Sequence, residues 1–353
     1  MQQSSIPYML IRGGSSKGVF LLRDDIASAS YDDLLLDLMG RDARQIDALG
    51  GANALTSKVA IISKNTSGKA DVDFLFIQVV VGENRLDKTP NCGNILSGVG
   101  IFAIEKGLVK AKDPITSIKV NMLNSNKICE LILKTPNGQI SNEGSTKIDG
   151  VPGFSSEIIC NYLNTQGAIC GALFPTGNKS DLINGIEVSC MDNGMPVVLL
   201  RAKDLGKSGY EDCKELEEDK EFRRLLEELR LKAGPLMKLG EVKDKVVPKM
   251  CLVSASCNGA DLNTRTFIPH SCHSAIGVLG ATTVASSLLF KDTVTKDFAV
   301  LQTGNIKVSI EHPSGVFEVN LESELVNGEI NIKKAGIIRT ARLLSKGEAF
   351  IKG

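Results

Sequence analysis

Residues 93–106 (GNILSGVGIFAIEK) and 274–290 (SAIGVLGATTVASSLLF) carry apolar and small side chains on every side of a helical wheel. A helix without a polar stripe has no face to offer water and must be enclosed by the rest of its domain. Each stretch follows a polar turn: Pro90-Asn91-Cys92 precedes the first, and Pro269-His270-Ser271-Cys272-His273 precedes the second. Cys92 and Cys272 lie about half a chain apart. This spacing predicts two related domains, each setting a polar turn at the N-terminus of a buried helix.

The length, 353 residues, suits two cores better than one. The boundary is expected near the middle, giving domains at 1–185 and 186–353, with the C-terminal segment free to pack back on the first. Two domains imply a cleft. Strands are expected at 72–81 (VDFLFIQVVV), 118–122 and 128–133, the last closed by the turn Pro136-Asn137-Gly138. In the second half they are expected at 187–189, 196–200, 250–254, 306–310, 317–321 and 330–332. Residues 210–232 place Leu216, Phe222, Leu225, Leu226 and Leu229 at helical spacing among charges, which predicts an amphipathic surface helix.

Lys plus Arg equals Asp plus Glu at 41 each, so no global field draws nucleic acid or an anionic membrane, and any anion must be caught locally. The first ten residues lack the basic start and apolar core of a secretion signal. The uncharged run 275–290 is shorter than the ~20 residues a membrane span requires. Nine cysteines, an odd number without C-x-x-C spacing, fit a reducing cytoplasm and are expected to be mostly buried, structural thiols.

The N-terminus of a helix leaves backbone N–H groups unpaired beside a partial positive charge, a setting that attracts anions and activates a thiol. Cys92 is expected there, with Gly93 allowing close approach and Asn91 and Asn94 supplying amides; a plain cap with a buried cysteine is the alternative. Cys272 and His273 are expected to open the second helix in the same way, as an acid or base or as a structural cap. His270, Cys272 and His273 could also ligate a metal, but no carboxylate motif accompanies them and none is expected. Arg12-Gly13-Gly14-Ser15-Ser16-Lys17-Gly18 lacks the spacing of a phosphate-binding loop; it suits carboxylate binding or is a tight turn. Gly98-Val99-Gly100-Ile101-Phe102-Ala103 matches G-x-G-x-x-A inside a helix pattern, the wrong context for a dinucleotide, so close packing is expected of its glycines. Lys58 sits at the edge of the apolar run 55–62, either as a surface side chain or, if buried by a cleft, as a base.

Together these segments resemble the PrpF family of isomerases, relatives of diaminopimelate epimerase. The resemblance rests on MLIRGGSSKGVFLL (9–22), DARQIDALGGANALTSKVAII (42–62), TPNCGNILSGVGIFAIEKGLV (89–109), DNGMPVVLL (192–200), NTRTFIPHSCHSAIGV (263–278) and IIRTARLL (337–344), in order along essentially the whole chain. It implies an α+β fold of two similar epimerase-like domains, each a curved mixed sheet around a central helix, with the active site in the cleft between them. It also implies a catalytic lysine and cysteine, which fall on Lys58 and Cys92. On the second domain it implies a histidine-x-alanine element at His273 and Ala275, with Cys272 displaced by one residue from an epimerase cysteine.

The expected chemistry is a proton shift within a small unsaturated di- or tricarboxylate, without a cofactor. Lys58 and Cys92 are its acid–base pair and His273 and Cys272 the secondary candidates. Arg12, Ser15, Ser16, Lys17, Asn91, Gly93 and Asn94 are expected to bind substrate, together with Asn193, Gly194, Arg265, His270 and Ser271; Arg265 matches a carboxylate bidentately. The leading reaction is enol–keto tautomerisation of 4-oxalomesaconate in aromatic-acid catabolism. Cis–trans isomerisation of 2-methylaconitate or aconitate and double-bond migration in 3-methylitaconate stand as alternatives. A non-catalytic polycarboxylate-binding module is the alternative of another class, and a homo-oligomer is left open.

Overall fold

Strand β1 (Ser5–Gly13) folds back on β2 (Ser16–Leu22) through Gly14 and Ser15, pairing Gly13 with Ser16 and Arg12 with Lys17. Gly14 is left-handed, with φ +52°, and a Cβ on it would lie 2.2 Å from Asn94 Oδ1, so only glycine fits this two-residue tip. The 12–18 segment makes a tight turn, and the Ser15 and Ser16 hydroxyls at its tip accept from Asn94 Nδ2. The computed structural model describes residues 4–26 and 31–351; the first three residues of the segment read for a secretion signal, and the outermost ends of the expected domains, lie outside these.

The chain continues through α1 (Asp32–Met39), β3 (Lys58–Lys64), β4 (Val72–Val80) and the short β5 (Arg85–Asp87). Next come α2 (Gly93–Glu105), β6 (Ile115–Met122), β7 (Lys127–Lys134) and β8 (Ile158–Tyr162). β2 and β3 run parallel, as do β4 and β6; β3–β4, β4–β5, β6–β7 and β7–β8 are antiparallel. Helix α2 touches β1, β2, β3, β4, β7 and β8, so the sheet curls around it, and every residue from Ile95 to Ala103 is buried. Its glycines bring it close: a Cβ on Gly98 would lie 2.7 Å from Phe20 Cζ, and one on Gly100 2.7 Å from Leu133 Cδ1. The sheet's other face is covered by α1, whose Leu35, Leu38 and Met39 pack with Val19, Leu21, Val59 and Ile61.

A second set of elements follows: β9 (Asp181–Ile183), β10 (Ile186–Asp192), β11 (Pro196–Arg201), α3 (Cys213–Glu218) and α4 (Lys220–Leu236). The expected single helix over 210–232 is broken at Asp219, whose carboxylate caps α4 by accepting from Phe222 N. Then come β12 (Lys249–Ser254), β13 (Leu262–Ile268), the two-residue β14 (Ser271–Cys272) and α5 (Val278–Ser287). β15 (Asn305–His312), β16 (Gly315–Val326), β17 (Glu329–Arg339) and β18 (Ala341–Phe350) complete the chain. β18 runs antiparallel to β1 along its length.

Residues up to Tyr162 and from Ile338 onward form one compact unit, and Leu163–Ile337 form a second. Segment 163–185 thus belongs with the second unit rather than the first, unlike the sequence-based boundary at 185. Thr165 Oγ1 donates to Asn193 Oδ1, and Ile169 N and Cys170 N both donate to Asp192 Oδ2 at 2.7 Å. The strands of each unit follow one order. In the first it is β18-β1-β2-β3-β4-β6-β7-β8, in the second β9-β10-β11-β12-β13-β15-β16-β17, with parallel pairs at the same steps. Each unit also hangs a short strand on the fifth of these, β5 on β4 and β14 on β13, before its enclosed helix. Among the described residues no helix is long and apolar enough to cross a membrane.

Candidate active site

Cys92 is the N-cap of α2, in extended conformation, and its carbonyl accepts from Leu96 N at 2.9 Å while its half-buried thiol makes no capping bond. No acidic side chain occupies the helix's first turn, so its positive end is not offset from within. Asn94 is fixed at both ends of its amide. Its Nδ2 donates to Ser15 Oγ at 3.1 Å and Ser16 Oγ at 3.3 Å, and its Oδ1 accepts from Arg339 Nε at 3.1 Å. Asn91, one residue outside, is exposed and accepts from Ser125 Oγ at 3.4 Å.

Arg339 was not singled out in the sequence. Burial lowers its proton affinity, while Cys160, Tyr162 and Cys92 nearby act in the other direction. Burial pushes the Cys160 thiol up to about 12 and the Tyr162 hydroxyl well above its ordinary value, so both stay neutral at pH 7. Beside these two neutral groups the guanidinium carries a formal charge. It adds positive potential to that of the α2 terminus, where a carboxylate or enolate oxygen would be stabilised.

Lys58 begins β3 and is only 8% exposed, so it is buried rather than snorkelling. It pairs with Gly18, on the face of the sheet that meets α2: a Cβ on Gly18 would lie 2.9 Å from Lys58 O and 3.0 Å from Ile95 Cδ1. Lys58 Nζ donates to Gln78 Oε1 at 2.6 Å and stands 5.2 Å from the Phe76 ring centroid. Gln78 Nε2 in turn donates to the carbonyls of Ala54, Ser57 and Val79, each at 3.1 Å, which turns its oxygen toward the lysine. Gln78 is a second residue the sequence reading passed over; its one signal was a polar break in VDFLFIQVVV.

Arg12 and Lys17 do not join this group. Strand alternation puts Gly13 and Ser16 on the α2 side and Arg12 and Lys17 on the opposite face, with Val19 and Leu21. Arg12 Nη1 donates to Gly14 O, Thr340 O and Thr340 Oγ1 at 2.9–3.0 Å. Of the expected first-half substrate residues, Ser15, Ser16, Gly93 and Asn94 gather at the helix start.

In the second unit several expectations change. α5 begins at Val278 behind its N-cap Gly277, so Cys272 and His273 do not open it; Cys272 is paired with Phe267 in β14 instead. The Cys272 amide donates to Glu217 Oε1 at 2.8 Å, and burial and the neighbouring Cys213 push its thiol far above the ordinary range. It is a neutral buried thiol. His273 lies in the loop before α5, with Nδ1 accepting from Ala275 N at 2.9 Å. His270 Nδ1 stands 3.7 Å from Glu227 Oε2, and Ser271 is exposed. Among the described residues no group of three or more His, Cys, Asp or Glu is placed to hold a metal ion.

Asn193 is fully buried and spends its groups on structure, accepting from Thr165 Oγ1 and donating from Nδ2 to Ser286 Oγ at 2.7 Å. Gly194 serves the same turn with φ +98°. Arg265 sits on the face of β13 that carries Phe267 and packs against α4; its Nε donates to Glu211 O at 2.8 Å and its Nη1 to Asn263 Oδ1 and Thr264 O. It braces a loop. Lys249, unremarked in the sequence, begins β12 as Lys58 begins β3, is 8% exposed, and is pushed by burial, and by Arg230, down to about 8.

The family model described as PrpF protein matches residues 3–352. The chain is 49% identical over 353 residues to a 4-oxalomesaconate tautomerase of Pseudomonas putida, covering 98% of this chain and 96% of the relative. It is 44% identical to a (4E)-oxalomesaconate Delta-isomerase of Novosphingobium, covering 98% of each. Among solved structures it is similar to a methylitaconate-delta-isomerase, with a TM-score of 0.88, 30% identity, and coverage of 99% of this chain and 96% of that one. The chain belongs to the PrpF family.

Proposed function

We propose that this PrpF-family chain is a cofactor-independent isomerase that moves a proton within 4-oxalomesaconate, interconverting its enol and keto forms. The observation that carries the substrate is 49% identity across 98% of the chain to a protein named for that reaction. Loss of the enol O–H proton leaves an enolate, and return of one proton to carbon gives the ketone; no atom is gained or lost. Lys58 Nζ and Cys92 Sγ are the groups proposed to exchange that proton, with His273 kept as the candidate of the second unit. Charge on the substrate oxygens is met by the N–H groups at the α2 start and by Arg339, while Asn94, Ser15 and Ser16 orient the carboxylate. Arg12, Lys17, Asn193, Arg265 and Cys272 have no part in this proposal.

Identity of 30% and a TM-score of 0.88 with a methylitaconate-delta-isomerase favour a second reading, allylic double-bond migration in a methylitaconate, and 29% identity to a 2-methyl-aconitate isomerase supports isomerisation of an aconitate beside it. An ultraviolet assay of purified protein with each acid separates the two. Accelerated conversion of 4-oxalomesaconate above its spontaneous rate is expected; turnover of an aconitate or methylitaconate alone would overturn the first reading. We also propose that the two units are diaminopimelate-epimerase-like domains, for which their common strand order is the support. A reducing cytoplasm, within aromatic-acid catabolism, suits a chain whose nine cysteines are all free.

A further inference from the structure

Arg342, Arg12 and Lys17 stand side by side on three neighbouring strands. Arg12 pairs with Arg342 of β18 on one side and with Lys17 of β2 on the other, so all three project from the same face. That face is the one turned away from α2. The three cations line a cavity of about 630 Å³ whose far wall comes from the loop between β7 and β8, including Ile148, Val151 and Phe154. No aspartate or glutamate is among the described residues lining it. Burial, and after it the like charge of Arg342 on the directly opposed strand position, makes Arg12 harder to protonate. Phe154 is 69% exposed although it faces this cavity, so an apolar surface is left uncovered opposite the row of charge.

We propose that this cavity is a binding site for a small organic dianion, separate from the site at the α2 start. Two anionic groups would bridge the Arg342–Arg12–Lys17 row, and an apolar body would rest on Ile148, Val151 and Phe154. The volume lies in the range of small-molecule sites, roughly 300–1,000 Å³. Arginine forks suit planar carboxylates and tetrahedral phosphates alike, so the shared chemistry is a doubly charged oxyanion attached to an apolar group. The proposal is independent of the reaction assigned above, because none of its residues belongs to the Lys58, Cys92, Asn94 and Arg339 group.

Titration calorimetry at low ionic strength tests it, with phthalate as an apolar dianion, benzoate as the monoanion and inorganic phosphate as an anion without an apolar body. Asn94→Ala protein is used beside wild type so that binding at the α2 start is told apart from binding in this cavity. Phthalate is expected to bind one per chain, at least tenfold tighter than benzoate or phosphate. Arg342→Glu and Phe154→Ala should each weaken it tenfold or more, while Asn94→Ala leaves it unchanged. Both altered side chains are exposed, so the fold should survive, and circular dichroism checks this. Absence of phthalate binding to wild type, or equal binding to Arg342→Glu, would overturn the proposal. So would phosphate binding as tightly as phthalate, which would reduce the row to a bare anion patch.

Discussion

Arg339 Nε donates to Asn94 Oδ1 at 3.1 Å although 245 residues separate the two along the chain. The bond closes a line from Arg339, the final residue of β17, through the Asn94 amide to the Ser15 and Ser16 hydroxyls. It fixes which end of the amide faces the serines, since a guanidinium can only donate. A pocket built this way has its dipoles set before substrate arrives, the condition under which electrostatic stabilisation is largest.

Replacing Arg339 with Lys keeps a charge but loses the planar fork. The variant is expected to lower kcat by about 10–100-fold, the scale of a small misplacement of an orienting group. Arg339→Met should lower it further. Steady-state kinetics beside the melting temperature separate loss of positioning from loss of fold. An unchanged kcat in Arg339→Lys would mean that the guanidinium only packs.

Lys58 and Gln78 make a graded pair. Lys58→Met is expected to reduce the rate by about 10²–10⁴-fold, the usual worth of a positioned acid or base. Gln78→Leu, which removes the acceptor but keeps the amine, should cost less. Solvent deuterium uptake into substrate should fall in parallel with each rate. Cys92→Ser retains the helix terminus, so uptake that persists in it while vanishing in Lys58→Met would assign the proton to the lysine.

Gly98 predicts a stability effect opposed to helix propensity. Alanine is favoured over glycine inside a helix by about 1 kcal/mol. Here the added methyl would stand 2.7 Å from Phe20 Cζ and 2.9 Å from Ile11 Cγ2. Overpacking of this kind costs roughly 1–3 kcal/mol, so Gly98→Ala should lower the urea midpoint despite the better propensity. Gly107, with nothing within 4 Å of a Cβ but φ +71°, tests strain without crowding.

The same contrast explains what could be read without coordinates. Helix α2 was legible almost to the residue because enclosure is written in its own composition, and VDFLFIQVVV announced β4. The start of α5 was not legible, because the two residues Ser271 and Cys272 are drawn into pairing with β13, a tertiary choice that moves the helix start to Val278, behind Gly277. Arg12 and Lys17 looked like partners of Ser15 and Ser16 because they are adjacent in sequence. Once the hairpin register is known, alternation sends them to the other face. Arg339 had no local signal tying it to Asn94, and Arg265 looked like a ligand fork until its carbonyl partners were visible.

Lys249 predicts a pH dependence of stability. Its ammonium is held down to about 8 in the fold, with burial the main cause and Arg230 the second, against an ordinary 10.5. Between these two values the unfolded chain binds more protons than the folded one, so this group makes stability rise with pH. Below about pH 8 both states are protonated and the fold carries the whole penalty of the buried charge; above 10.5 neither is, and the penalty is gone. Lys249→Met removes that penalty while keeping the stem. It is therefore expected to raise the melting temperature by a few degrees at pH 7, on the order of 1–2 kcal/mol for a chain of this size. The gain should shrink between pH 8 and pH 10.5. Differential scanning calorimetry of both proteins at pH 7 and pH 10 measures it, and a gain equal at the two values would trace the effect to packing rather than to charge.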